Sequence, residues 1–143
     1  MFEARLFYLI DDYVRQQIIN VVKNCPVNVE VIIRERTKKR TKQQNAFMWS
    51  SMVGDFEKQG WWEGRQLNSN AWHKMLKWGF LPEHAEEGIT KPGYVKWGLS
   101  LTGEKILLGS TKDLTTKGFS EYLERCYSFG AQELGIQFHE LQK

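Results

Sequence analysis

Two cysteines in 143 residues, Cys25 and Cys126, are too few for a disulfide framework. They are also not spaced as a Cys-x-x-Cys metal clamp, and they read as reduced intracellular thiols. Long apolar runs are missing as well. No stretch approaches the roughly 20 residues of a membrane span. The N-terminal MFEARLF lacks the basic start and apolar run of a secretory signal. A cytoplasmic location is therefore expected, with no membrane partner. The glycines form no Gly-Lys-Ser/Thr phosphate loop, so ATP use is not expected. Of the histidines His73, His84 and His139, no pair has helical zinc spacing. The acids Glu86-Glu87 and Asp55/Glu57 are pairs in sequence only. Positions one or two apart on a helix do not face each other, so these pairs do not by themselves build a two-metal nuclease site. Acids distant in sequence can still converge. The expectation is a protein with no catalytic residues, no metal and no cofactor.

A strong charge imbalance is also lacking. The formal net charge is +3, short of what a non-specific DNA coater carries. The positive charge is instead concentrated. Arg34 to Lys42 holds six Lys/Arg in nine residues: Arg34, Arg36, Lys38, Lys39, Arg40 and Lys42, opposed only by Glu35. Gln44 and Asn45 follow, then Phe47 and Trp49. Cations neutralise phosphate, amides bond to phosphate or base edges, and rings stack on bases. The same composition also suits a solvated basic loop leading into a helix.

The remaining composition fits one globular domain over 1–143: 41% of residues are hydrophobic and 26% charged. Alternation over residues 2–9 predicts a half-buried strand, and Val29 to Arg34 predicts another. Between them, Asp11 or Asp12 caps a helix whose apolar positions Val14, Ile18, Val21 and Val22 have helical spacing. Pro26 forces its end. Thr41 is placed to cap a helix over about 43–59, with Gly60 ending it. Asn68 or Ser69 caps a third, with Trp72, Met75, Leu76 and Phe80 at helical spacing, and Pro82 stops it. Residues 83–93 read as a polar linker. Tyr94 to Leu101 and Glu104 to Leu108 flank Thr102-Gly103 as a hairpin. Thr115 or Thr116 starts a last helix that Gly135 closes. The predicted class is α+β, a small mixed sheet with about four helices.

The ordered set of motifs resembles the NinB family of lambdoid phage recombination proteins, also called Orf. The matching residues are Arg40-Thr41 with Gln44-Asn45 and Trp49, then Gly54-Asp55, Trp62-x-Gly64, and Trp72 with Lys74. Gly109-Ser110-Thr111, Phe119, Phe129-Gly130, Gly135 and Phe138 follow in the same order. The resemblance runs from about residue 29 to 139. The basic run is longer here than the family pattern requires. His73 is inserted between Trp72 and Lys74, and 83–101 has little to align.

The resemblance implies a recombination mediator that binds single-stranded DNA without cutting it. It further implies an intertwined homodimer that works with host single-strand-binding protein to load a recombinase or pairing protein. Duplex or junction DNA is a further ligand class. The candidate DNA contacts are Arg36, Lys38, Lys39, Arg40 and Lys42 of the basic run, the amides Gln44 and Asn45, and Lys74. Trp49 and Trp72 match the pattern too, with packing as their expected role. Two other classes stay open: a small metal-dependent, structure-specific nuclease, and a dimeric protein adaptor that touches no DNA.

Overall fold

The computed structural model describes residues 4–34 and 40–141. Four helices carry the fold. Asp11 caps α1 (Asp12–Asn24) by accepting the Val14 amide at 2.9 Å. Thr41 caps α2 (Lys42–Gln59) through a reciprocal box. Thr41 Oγ1 accepts from Gln44 N at 3.1 Å, and Gln44 Oε1 accepts from Thr41 N at 2.8 Å. Such a box satisfies two amides that the helix itself leaves without partners. Asn68 caps α3 (Ser69–Phe80), and Thr115 caps α4 (Thr116–Glu133). Gly135, at φ +67, takes the left-handed turn after α4 that other residues adopt at a cost.

The core forms where α2 and α3 meet α4. Met52, Val53 and Phe56 of α2 and Trp72 and Leu76 of α3 pack against Tyr122, Leu123, Cys126, Tyr127 and Ala131 of α4. Ile136 and Phe138, beyond α4, fold back into the same cluster. Phe56 sits among Trp72, Phe129 and Phe138, with ring centroids 5.0, 6.4 and 5.4 Å away. Cys126 is fully enclosed, and burial pushes its thiol far above the ordinary range, so it remains an inert thiol. Helix α1 docks on α4, where Arg125 Nε meets Asp11 Oδ2 at 2.9 Å.

The sheet differs from expectation. It is a two-stranded antiparallel hairpin, β1 (Trp97–Leu99) and β2 (Lys105–Leu107), with Trp97 opposite Leu107 and Leu99 opposite Lys105. Gly103, at φ +83, makes the turn. Among the described residues, neither 4–9 nor 29–34 forms a strand, so the mixed sheet is not present. The alternation is there in the sequence, but a strand also needs a second backbone to pair with. Here the apolar side chains point outward: Ile33 is 93% exposed, and Val31 and Ile32 are also open.

A hairpin of two short strands is marginal alone. This one is held by Lys96, whose buried ammonium donates to Leu81 O and to Glu83 Oε1, both at 2.8 Å. Trp97 Nε1 donates to Glu83 Oε2 at 2.6 Å. The Lys96 and Trp97 hydrogen bonds hold the Glu83 carboxyl below its ordinary value of 4.5. A carboxyl depressed in the fold takes up its proton less readily folded than unfolded. Its stabilising effect is complete above pH 4.5 and is lost as pH falls below that value. Glu83→Gln is accordingly expected to be less stable than wild type at pH 7. The two should converge in acid, because protonation removes the same charge from wild type. Thermal melts from pH 7 to 3 check this; two curves that stay parallel throughout would contradict it.

Candidate nucleic-acid interface

The first turn of α2 faces solvent with no acidic residue in it. A helix start carries partial positive charge, and nothing in this turn offsets it. Lys42 and Gln44 are both exposed there. Gln44 Oε1 is engaged in the cap, which fixes the side chain and aims it along the helix end. The basic run enters this turn, but Arg36, Lys38 and Lys39 lie outside the described residues.

Arg40 and Asn45 are used differently. Arg40 turns inward and forms an ion pair with Glu124 of α4, with only 10% and 2% of the two side chains exposed. Its Nη2 also donates to Ser120 O at 3.0 Å, and Nη1 lies 3.3 Å from Met48 Sδ. Asn45 is 2% exposed. Its Nδ2 donates to Thr116 O and its Oδ1 accepts from Ser120 Oγ, both at 3.0 Å. Both residues fasten the start of α2 to α4. The sequence places them beside surface cations. A residue's neighbours do not say which side of the helix start it takes, and here the facing Glu124 and Ser120 decide it.

Helices α2 and α3 enclose an open cleft of about 310 Å³ lined by Trp49, Ser50, Glu57, Ser69, Asn70 and His73. Trp49 meets the His73 ring edge-on at 4.9 Å. Burial, then the nearby Lys77 charge, lowers the His73 pKa below 6.5, so the ring is neutral at pH 7. Glu57 accepts the Ser69 amide at 2.6 Å, which steadies the start of α3. The cleft thus sets a half-buried indole among the Asn70 amide, the Ser50 and Ser69 hydroxyls, a neutral imidazole and the Glu57 carboxylate. Lys74, the residue after His73, is exposed. Trp72 is wholly buried and belongs to the core.

Asp55, itself buried, holds the C-terminal segment. Its Oδ1 lies 2.6 Å from His139 Nδ1, and Oδ2 accepts the His139 amide at 3.1 Å. Among the described residues no group of three or more His, Cys, Asp or Glu is arranged to hold a metal. Among the same residues no helix is long and apolar enough to cross a membrane. Trp78, Trp97 and Lys105 form a second aromatic and basic cluster that the sequence does not announce. The adjacent Lys77-Trp78 and Lys96-Trp97 pairs are the available signal. Their convergence depends on the hairpin folding back onto α3.

The described residues form a mainly helical domain with one small hairpin, a basic and amide-bearing start to α2, and a cleft between α2 and α3. The NinB protein family model matches residues 3–139, and the chain belongs to the NinB family. A solved NinB structure from structural genomics is similar over 97% of this chain and 92% of its own, with 20% identity and a TM-score of 0.44. No curated protein matches the chain.

Proposed function

We propose that this chain is a non-enzymatic recombination mediator that binds single-stranded DNA and works with host single-strand-binding protein. Membership of the NinB family over nearly the whole chain carries the reading. The chemistry of the α2 start supports it: a helix N-terminus free of acidic residues, Lys42 and Gln44 in solvent, and the basic run entering directly before them. The contacting set is Arg36, Lys38, Lys39, Lys42, Gln44 and Lys74, while Arg40 and Asn45 position the helix that presents them. The Trp49 cleft suits one unstacked base.

Lys39→Ala and Lys42→Ala are expected to weaken binding to all sequences alike. Each should flatten the log–log salt dependence by about 0.7 for every phosphate the lysine had neutralised. Gln44→Ala removes hydrogen bonds and no charge, so affinity should fall at nearly constant slope. Because Gln44 also completes the α2 cap, a melt accompanies each titration. Fluorescence anisotropy with a labelled oligonucleotide at several salt concentrations reads both quantities. Wild-type affinity and slope in a folded variant carrying both Lys39→Ala and Lys42→Ala would leave the basic run a solvated loop.

The working form in this reading is a homodimer. Val29, Val31, Ile32 and Ile33 present apolar side chains and unladdered backbone to solvent. A second copy would cover such a segment by pairing with it, since unpaired backbone with apolar side chains is a template for another chain. Sedimentation at micromolar concentration should give twice the 16.8 kDa chain mass. A monomer that still binds DNA tightly would remove the dimer from the reading.

A further inference from the structure

The C-terminal half of α3 and the hairpin build a second aromatic surface away from the start of α2. Trp78 is 50% exposed, unusual for the largest apolar side chain. It meets Trp97 of β1 edge to face, with centroids 4.6 Å apart. Trp97 is itself locked. Its indole N–H is bonded to Glu83, Lys96 Nζ lies 4.9 Å from the ring centre, and Lys105 Nζ of β2 lies 3.9 Å from it. Lys74 stands one turn before Trp78 on the same helix face, and Lys77 flanks it. The Glu83 carboxylate beside this cluster is already bonded to Lys96 and Trp97.

We propose that Trp78, backed by Trp97 and flanked by Lys74, Lys77 and Lys105, is a stacking platform for a base of single-stranded DNA. The inference rests on the single-strand-binding reading above and adds a second contact point for the same strand. Two features favour a nucleic acid over a protein partner. The net local charge is positive, and the exposed group is a flat ring already held in place. Holding the ring beforehand lowers the entropy lost when a base stacks on it. Stacking on aromatic rings with cations beside them is sequence-tolerant, as a mediator requires.

The test titrates the full chain with a thymidine homopolymer, following tryptophan fluorescence, with melts and sedimentation on every variant. Trp78→Ala should bind roughly 5- to 150-fold more weakly, the range expected for loss of one base stack, with little change in salt slope. Trp78→Phe keeps a ring, so it should retain most of the affinity while losing part of the fluorescence quench. Lys105→Ala should lower the slope by about 0.7. If Trp78→Ala does not fold, Trp78→Phe and Lys105→Ala decide the matter. Wild-type quench in Trp78→Phe together with wild-type slope in Lys105→Ala would overturn the platform. So would a change from dimer to monomer on losing Trp78, which would make this face an interface between copies. Normal DNA binding with impaired binding of single-strand-binding protein would assign the face to a protein partner and likewise overturn it. In each of these outcomes, weakened binding by Lys42→Ala would leave the single-strand reading standing. Failure of the wild-type chain to bind at all would remove that reading itself.

Discussion

Arg40→Ala is expected to destabilise the protein by about 3–5 kcal/mol, among the largest effects of any single change in the basic run. The guanidinium lies almost wholly inside the fold, paired with the buried Glu124 and bonded to Ser120 O. Its removal takes the Arg40 charge away from a buried carboxylate and a donor away from the Ser120 carbonyl. Each loss is costly where water cannot substitute. Arg40→Lys should recover only part of this, because one shorter ammonium cannot reach the Nη2 partners Glu124 and Ser120 and the Nη1 partner Met48 together. Lys42→Ala, two residues on and exposed, should stay within about 0.5 kcal/mol of wild type. Urea denaturation of the three variants separates the roles. If Arg40→Ala unfolds at the wild-type midpoint yet loses DNA affinity, Arg40 is a DNA contact and the inward assignment fails.

Trp72→Ala should cost a comparable amount, about 3–5 kcal/mol. The side chain has no exposed surface, and its ring lies 5.0 Å from that of Phe56. Gly60 is tailored to it, since a Cβ there would come within 2.8 Å of the indole. Truncation therefore opens a cavity that the surrounding helices cannot fill. Trp72→Phe should lose far less. It retains most of the packing, and it removes an indole N–H that is buried without a hydrogen-bond partner. DNA affinity of Trp72→Phe should match wild type. A large loss of affinity with normal stability would place Trp72 in the DNA site instead.

The helices are legible in the sequence because their signals are local. Asp11, Thr41, Asn68 and Thr115 each cap the next amides in chain order, and a cap needs only neighbouring residues. The hairpin turn at Thr102-Gly103 is legible for the same reason, although its strands are shorter than the alternation suggests. The stretches 4–9 and 29–34 are not, because period-two alternation records which faces differ and is silent about where a pairing backbone comes from. The candidate site divides along the same line. Lys42 is a cation at a helix start and is exposed, as the composition of the run suggests. The inward turn of Arg40 and Asn45 follows from Ser120 and Glu124, far away in sequence. Trp78 and Trp97 meet because contacts distant in sequence, Lys96 to Leu81 and Trp97 to Glu83, fasten the hairpin to the end of α3.

Single-strand binding without catalysis is tested most directly by one titration of the wild-type chain. A labelled single-stranded oligonucleotide is titrated at increasing salt with Mg²⁺ present, and the DNA is then run on a denaturing gel. The affinity should fall linearly in log–log form with salt, with a slope corresponding to several phosphate contacts, and the oligonucleotide should remain intact. An affinity too weak to measure at low salt would contradict the reading. Cleavage that disappears when a single Asp or Glu is replaced would contradict it too, and would make the chain a nuclease.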